Sequence, residues 1–392
     1  MTKVPLDLSA AFSRFRAADP HRLHFAAHSH HLWPDVSFAA QALAWEDAAR
    51  YVDDKWDVVL GEVWPAVAAH LSRHLGLPDP ATLVPAPNTL EFVTRLLSCG
   101  PAGRPLRVMT TDGEFHSFRR QIERLAEDDL VAPTVVPVEP FETLAVRLIA
   151  AARAQRPDMV YVSQVFFNSG FALSDLNSLV DAVAEPERLT VIDGYHGFLA
   201  RPTDLSSIAD RAFYIAGGYK YAMAGEGACF MHCPPGYAPR PRNTGWFASF
   251  GNLAGASAGV PYARDGWRFM GATFDPSGLY RLRAVLDWLA AEKVDATLIH
   301  AHVEALQARF VAAVDETPCG PFDTKNLVVP FDNPARGNFL TFAHEDAGAW
   351  YRRLHAAGIV TDVRGTRLRI GFGLYHNADD VERLIARLRT LG

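Results

Sequence analysis

The spacing of apolar residues changes character along the chain. Residues 36–52 and 56–75 repeat apolar positions at helical intervals, and Pro65 predicts a kink or break in the second of these helices. From about residue 105 to residue 218, short apolar runs alternate with amphipathic segments. This alternation predicts an α/β fold with a mainly parallel sheet and helices on both faces.

In this central region the pattern predicts five strands and three intervening helices. The predicted strands are 105–111, 132–140, 158–167, 189–197 and 211–218, and the predicted helices are 115–127, 141–155 and 173–185.

The pattern shifts again after about residue 275 and predicts a smaller α+β domain. Its predicted elements are helices at 277–293, 295–315, 346–357 and 378–391, a strand at 338–343, and a hairpin joining 358–363 to 367–372. We therefore predict three parts. Residues 1–55 form an N-terminal segment against the small domain and active site, residues 56–270 the large domain, and residues 271–392 the small domain.

Composition narrows the class of protein further. The 392 residues carry a formal net charge of −6 without clustered basic residues, which gives no footprint for nucleic acid or an anionic membrane surface. Four cysteines form no disulfide framework, the N-terminus has no signal-peptide pattern, and no apolar stretch is long enough to span a bilayer. We expect a cytoplasmic protein in a reducing compartment.

The segment FYIAGGYKYAMAGEG, residues 213–227, contains the most informative chemistry. Lys220 follows a predicted strand, and Asp193 comes immediately after three residues of the predicted strand before it, so both are expected at the carboxyl edge of the sheet, where ligands bind. A lysine and a carboxylate so placed suit pyridoxal phosphate, because the lysine forms an imine with its aldehyde and the carboxylate keeps its ring nitrogen protonated. A turn aspartate and a solvated lysine are the alternative interpretation.

Two further segments favour a cofactor site. Asn88 and Thr89 begin a predicted helix after two prolines, and a helix N-terminus with a hydroxyl suits a phosphate, although a plain helix cap explains it equally well. Phe115 or His116 follows another strand, where an aromatic ring can stack on a cofactor. A core phenylalanine is the commoner role for such a residue.

Taken together, these motifs resemble the class V aminotransferase group of fold-type I pyridoxal phosphate enzymes, and within it kynureninase most closely. The resemblance runs from about residue 24 to the C-terminal helix. Its most specific motifs are Asp193-Gly-Tyr-His196, matching the family's Asp-x-x-His, and Gly218-Tyr219-Lys220-Tyr221 followed by Gly225-Glu-Gly227. Tyrosine on both sides of the lysine is a kynureninase-like feature.

The resemblance implies a role for each matching residue. Lys220 is implied to form the imine and to act as the base at Cα, and Tyr219 to contact the phosphate and donate a proton. The other implied cofactor contacts are Asp193 and His196 near the ring nitrogen, Phe115 stacked on the ring, and Asn88, Thr89 and Trp246 at the phosphate.

Substrate and partner contacts are also implied. Arg369 matches the arginine that clamps the substrate's α-carboxylate, a role suited to a bidentate cation, and Ser29 is the substrate-side residue kept from an N-terminal motif. Thr273 matches a residue that reaches the neighbouring subunit's phosphate. The resemblance therefore implies a homodimer with its active sites at the subunit interface.

Several positions depart from the kynureninase pattern. The N-terminal motif appears as residues 27–31, of which only Ser29 is retained. Residues 115–118 lack a carboxylate, residues 246–249 lack a histidine, and residues 274–275 replace two prolines. The cofactor positions are thus better kept than the positions that line the substrate's aryl pocket.

The histidines near the N-terminus could suggest a metal. His28, His30 and His31 cluster with His24 nearby, but neither carboxylate nor cysteine lies at a supporting spacing, and we predict no metal site. Cys319 lacks the surroundings of a desulfurase nucleophile and is interpreted as structural.

The sequence thus predicts an enzyme that acts on a small amino acid. The favoured reaction is hydrolytic Cβ–Cγ cleavage of a kynurenine-type amino acid to alanine and an aromatic acid. The alternative within the class is a β-lyase, cysteine desulfurase-like or aminotransferase reaction on a different amino acid. Outside the class, the alternatives are a catalytically inactive binding protein and a zinc hydrolase.

Overall fold

A computed structural model describes residues 6–252 and 259–391; the first five residues of the predicted N-terminal segment lie outside this range. The strands are β1 Leu23–His24, β2 Leu83–Ala86, β3 Leu106–Thr111, β4 Val131–Val136, β5 Met159–Ser163, β6 Leu189–Asp193, β7 Phe213–Gly217, β8 Cys229–His232, β9 Phe339–Ala343, β10 Ile359–Val360, β11 Asp362–Arg364 and β12 Arg367–Gly371.

The α-helices connect and cover these strands. They are α1 Ser13–Ala18, α2 Val36–Tyr51, α3 Lys55–Val58, α4 Trp64–Leu75, α5 Thr89–Leu97, α6 His116–Glu127, α7 Leu144–Gln155, α8 Leu176–Val183, α9 Ser277–Ala291, α10 Ala296–Glu316, α11 Ala347–Ala356 and α12 Ala378–Arg389.

Seven strands form the central sheet in the order β2-β8-β7-β6-β5-β3-β4. Only β8 runs antiparallel to its neighbours, so the predicted mainly parallel sheet is confirmed. Adjacent residues of a strand face opposite sides of the sheet, and both sides are apolar. Val160 and Ile192 belong to the core cluster on one side, whereas Tyr161 and Val191 belong to the cluster on the other.

The smaller domain has its own core. Strands β11, β12 and β9 form an antiparallel sheet, and a separate cluster of buried side chains, including Phe310, Phe342 and Leu384, packs it against the surrounding helices. The N-terminal segment joins this domain, because β1 pairs with β10 and Ala26 bridges to Gly371. The domain boundaries at residues 55 and 270 stay predictions.

Two local features refine the sequence predictions. At Pro65 the predicted interruption takes the form of a π-helical turn, Val59–Val63, directly before α4, and the proline lies in the first turn of α4. The predicted hairpin begins later than its sequence pattern suggests, because Ile359–Val360 pair with β1 and only Asp362–Arg364 pair with β12.

Helix α9 lies close to the glycine loop that follows Lys220. A Cβ atom on Gly278 would lie 2.7 Å from the carbonyl carbon of Gly227, so this helix position needs a glycine for the two backbones to meet. The helix therefore braces the loop at the carboxyl edge of the sheet.

We expect Gly278→Ala to lower the free energy of unfolding by roughly 1–3 kcal/mol, because two backbone segments must separate. Gly61→Ala is the matched control, since a Cβ there has open space around it. Urea unfolding of both variants tests this, and equal stability of the two variants would contradict the proposed close contact.

Candidate active site

Lys220 is a buried amine at the carboxyl edge of the sheet. It follows β7 by three residues and is 5% exposed. Its Nζ lies 2.7 Å from His196 Nε2 and 4.6 Å from the centre of the Tyr195 ring. Burial lowers the pKa of this lysine to about 7, so a large share of the side chain is the uncharged, nucleophilic amine near neutral pH.

Asp193 ends the neighbouring strand β6. Its Oδ2 accepts a hydrogen bond of 2.8 Å from the Tyr161 hydroxyl, and its Oδ1 accepts one of 3.0 Å from the Tyr195 backbone N–H. Burial raises the pKa of Asp193, and these two direct donors are neutral. A cationic group such as a protonated ring nitrogen would stabilise the carboxylate in this position.

A second carboxyl group, Glu114, is buried beside this site. It lies in the loop between β3 and α6. Its Oε2 pairs with the Ser163 hydroxyl at 2.5 Å, and its Oε1 accepts a hydrogen bond of 2.7 Å from the Thr111 hydroxyl. Burial raises the pKa of Glu114 to about 8, with a smaller contribution from Asp193. Glu114 is therefore mostly neutral at pH 7.

These side chains surround a cavity of about 340 Å³. Phe115 lines it with its ring centre 5.5 Å from Lys220 Nζ, and the N-terminus of α5 opens toward it through Asn88 and Thr89. Asn88 also caps α5, because its Oδ1 accepts a hydrogen bond of 3.1 Å from the Glu91 N–H. Capping and a phosphate site are therefore compatible, since the first backbone N–H groups of α5 remain at the cavity.

Seven of the predicted site residues line this one cavity. They are Asn88, Thr89, Phe115, Asp193, His196, Tyr219 and Lys220. Arg369 contacts the cavity wall through Phe167, because its guanidinium donates a hydrogen bond to the Phe167 carbonyl. Ser29 follows the buried His28, which contacts β12. Trp246 and Thr273 are exposed and do not line the cavity of this chain.

The sequence interpretation missed several polar residues of the site. Glu114 directly precedes the predicted stacking residue, and that position at a strand end was the available signal. Tyr161 and Ser163 lie inside the apolar run of β5, which predicts a strand and gives no sign that a hydroxyl will reach a neighbouring carboxylate. Asp362, which pairs with Arg369, follows a short strand of the small domain.

The N-terminal histidines are dispersed rather than gathered on one ligand. His31 packs against Tyr375. The ring of His30 stacks on that of Tyr219 with the ring centres 5.0 Å apart, and the ring of His28 stacks on that of Phe339 with the centres 4.6 Å apart. Within residues 6–252 and 259–391, no group of three or more histidine, cysteine or acidic side chains is arranged to hold a metal ion. No helix in the same ranges is long and apolar enough to cross a membrane.

The residues present fit pyridoxal phosphate. The buried amine, the carboxylate at the end of the adjoining strand, the aromatic ring and the helix N-terminus match the groups that this cofactor requires. His196 Nδ1 is buried without a hydrogen-bond partner in the chain, so it is available to a ligand. The fold and this arrangement are those of class V aminotransferase-like, fold-type I, pyridoxal phosphate-dependent proteins.

Comparison with known proteins supports this class. Residues 299–388 match the family model of the kynureninase C-terminal domain. A probable cysteine desulfurase of Vibrio cholerae is 24% identical over 293 residues, which cover 72% of this chain and 70% of the relative. A cysteine desulfurase of Dickeya dadantii is 24% identical over 302 residues, which cover 72% of this chain and 69% of the relative.

Solved structures give the same result for the fold. The cystine C–S lyase C-DES, in complex with its reaction product cysteine persulfide, has a TM-score of 0.77 at 16% identity and covers 94% of this chain and 97% of its own. The apo cysteine desulfurase from Thermococcus onnurineus has a TM-score of 0.75 at 16% identity, with 95% of each chain covered. The predicted fold class is confirmed, and pyridoxal phosphate is the cofactor of this class.

The buried Glu114 makes stability depend on pH. Because its native pKa is raised to about 8 from an ordinary 4.5, the native state holds a proton that the unfolded chain releases. This contribution to stability is fully present below pH 4.5 and is lost as the pH rises through 8. We expect Glu114→Gln to flatten the fall in unfolding free energy across that window, because glutamine mimics the protonated acid.

Urea unfolding at several pH values measures this effect. Glu123→Gln is the control, since Glu123 is an exposed glutamate on α6. If Glu114→Gln leaves the pH profile unchanged between pH 4.5 and 8, Glu114 is not protonated in the native protein.

Proposed function

We propose that this protein is a pyridoxal phosphate-dependent enzyme that acts on a small α-amino acid and breaks a bond to its Cβ, as a β-lyase. The observation that carries the proposal is the buried Lys220 amine beside Asp193 and His196 in one cavity. The cysteine desulfurase relatives and the C–S lyase fold neighbour support cleavage of a Cβ–S bond over the Cβ–Cγ hydrolysis of the kynureninase type favoured by the sequence.

Lys220, Asp193 and the N-terminus of α5 would hold the cofactor. Bound pyridoxal phosphate withdraws electrons from the substrate's Cα and so makes its proton acidic. Asp193 would keep the ring nitrogen protonated, and Phe115 would orient the ring by stacking. Thr89 would face the phosphate, as would the backbone N–H groups at the start of α5.

Proton transfer falls to two side chains of the cavity. The uncharged Lys220 amine is a suitable base for the Cα proton, because its pKa of about 7 lets it both take and return a proton near neutral pH. Burial raises the pKa of Tyr219, so its phenol stays protonated and can donate to the group leaving Cβ. The surrounding rings of Tyr195 and Phe115 limit the access of water to the Lys220 amine.

The cysteines favour a lyase without a thiol acceptor over a desulfurase that carries sulfur on its own cysteine. Such a nucleophile must be an accessible thiolate. Cys229 lines the cavity, but burial raises the pKa of its thiol to about 12. Cys319 is buried in the small domain, where its thiol lies 3.2 Å from the Leu388 carbonyl.

Kynureninase-like hydrolysis is the second candidate. The match of residues 299–388 to the kynureninase C-terminal domain supports it, as does Tyr219 next to the lysine. In this reaction water adds to a ketone on the substrate side chain, and Cβ–Cγ cleavage leaves alanine and an aromatic acid. A β-lyase instead yields pyruvate and ammonia, so the products separate the two candidates.

The test of the enzyme class is the visible absorbance of purified protein after incubation with pyridoxal phosphate. We expect an absorbance band from the lysine-bound cofactor that Lys220→Ala abolishes and that Lys325→Ala, which removes an exposed lysine, preserves. Persistence of the band in Lys220→Ala would refute the assignment of the lysine.

Substrate identity is tested with L-cystine, L-cysteine, L-kynurenine and 3-hydroxykynurenine. We expect pyruvate from a sulfur amino acid, with Tyr219→Phe slower by roughly 10²–10⁴-fold because a positioned proton donor is lost. Alanine and an aromatic acid from either kynurenine would replace the lyase proposal with the hydrolase.

We further propose that two copies of the chain associate. Phe38 and Trp45 are spaced by seven residues along α2, so they share one face, and both are exposed; Val52, directly after the helix, is exposed as well. Trp45 is 76% exposed, which is unusual for a tryptophan and typical of an interface. A second copy on this face is consistent with the predicted contribution of Thr273 across a subunit boundary.

Sedimentation equilibrium tests the association. We expect a dimer that Trp45→Glu converts to monomer, because a charge cannot be buried at the interface without a partner. Val146→Glu, at an exposed position of α7, is the control and should leave the mass unchanged. A monomeric native protein would contradict this proposal.

A further inference from the structure

The hairpin of the small domain places an acidic side chain directly against Arg369. Asp362 in β11 is the cross-strand partner of Arg369 in β12, and both are buried, at 8% and 2% exposure. The Asp362 carboxylate Oδ2 contacts Arg369 Nη2, while its Oδ1 accepts a hydrogen bond of 2.6 Å from Arg364 Nη1. One carboxylate therefore bridges two arginines.

This arrangement leaves Arg369 already occupied. Its Nη2 faces Asp362 and its Nη1 donates to the Phe167 carbonyl. A carboxylate ligand prefers two parallel N–H donors of a guanidinium. A substrate carboxylate can take that position only if the resident carboxylate of Asp362 moves away.

The surroundings of Arg369 contain polar atoms that the chain itself leaves unpaired. Arg369 Nε, both ring nitrogens of His28, the hydroxyl of Thr341 opposite Arg369, and the hydroxyl of Thr361 next to Asp362 are all buried without a hydrogen-bond partner. Buried polar groups are normally satisfied. An unpaired cluster next to an occupied arginine indicates that a second, anionic ligand completes the site.

Arg364 provides the position to which Asp362 can retreat. Its side chain is 38% exposed at the edge of the hairpin, and it lies two residues along the same strand, on the same face as Asp362. A buried carboxylate without a cationic partner is strongly destabilising. Because Arg364 already holds one oxygen, Asp362 can release Arg369 and remain paired.

We propose that Asp362 is a resident counter-ion that occupies Arg369 until the substrate's α-carboxylate displaces it toward Arg364, and that it thereby sets substrate affinity and specificity. This rests on the proposed function only in taking an α-amino acid as the substrate. The exchange replaces one ion pair by another, so no covalent bond changes. An amine without a carboxylate leaves the Asp362–Arg369 pair intact and gains nothing at this position.

The proposal predicts that removing the charge of Asp362 tightens binding. If the resident ion pair is formed most of the time, only a minor fraction of the protein is competent to bind a carboxylate, and the apparent affinity is reduced by that fraction. We expect Asp362→Asn to bind propionate roughly 5- to 20-fold more tightly, because that fraction approaches one. Ethylamine binding should not change.

Titration calorimetry with propionate provides the measurement. Asp158→Asn is the matched control, since Asp158 also bridges two arginines, Arg104 and Arg107. It lies just before β5, at the amino end of the central strands and therefore away from the cavity at their carboxyl ends. It should leave propionate affinity unchanged. If Asp362 merely orients Arg369, Asp362→Asn will bind propionate equally or less tightly, and the proposal is overturned.

A second pair of variants keeps the test valid should Asp362→Asn fail to fold. Arg364→Ala removes the retreat position and should weaken propionate binding, whereas Arg367→Ala removes an equal charge from the same hairpin and should not. Equal effects of these two variants would overturn the proposal. Where Asp362→Asn folds, the effect of Arg364→Ala should disappear in the double variant.

Propionate has no amino group, so its binding does not require pyridoxal phosphate chemistry. A protein that shows no lysine-dependent visible absorbance, yet binds propionate more tightly as Asp362→Asn, would refute the proposed enzyme class and retain the role of Asp362. A protein with the absorbance band whose propionate affinity is unaffected by Asp362→Asn would refute the role of Asp362 and retain the proposed enzyme class.

Discussion

The structure depends on keeping an amine buried at the carboxyl edge of the parallel sheet. Lys220 is surrounded by His196 and aromatic rings rather than by water, and this environment lowers its pKa to about 7. A buried lysine destabilises a fold unless it is uncharged or paired. Burial of Lys220 destabilises the fold at a position where an uncharged amine is chemically useful. The stability of the sheet beneath it offsets this destabilisation.

Two carboxyl groups near the lysine are differentiated by their surroundings. Burial raises the pKa of both groups; Asp193 accepts hydrogen bonds from Tyr161 and from a backbone N–H, and Glu114 stays mostly protonated at neutral pH. Burial therefore limits the negative charge that these two neighbouring carboxyl groups carry. In the small domain, one carboxylate, that of Asp362, is paired with two arginines, Arg364 and Arg369.

The fold alone does not determine which reaction a protein of this class catalyses. Sequence relatives and fold neighbours share the class V architecture, and some of them are cysteine desulfurases or a C–S lyase, while part of the small domain matches kynureninase. Differences in activity within one fold reside in the residues around the cofactor. Here these include the paired tyrosines at Lys220, the histidines of the N-terminal segment and a thiol, Cys229, that is kept protonated by burial.

The sequence by itself determined the alternating strands and helices and the placement of Lys220 and Asp193 at strand ends, because hydrophobic periodicity and strand-end polarity are local properties. It also predicted an aromatic ring at the cavity, Phe115, through its place after β3. Only the tertiary structure decided that Glu114 is protonated, that Tyr161 reaches Asp193, and that Asp362 occupies Arg369. These features arise from contacts between residues distant in sequence or on facing strands, where burial and charge depend on neighbours that no local pattern specifies.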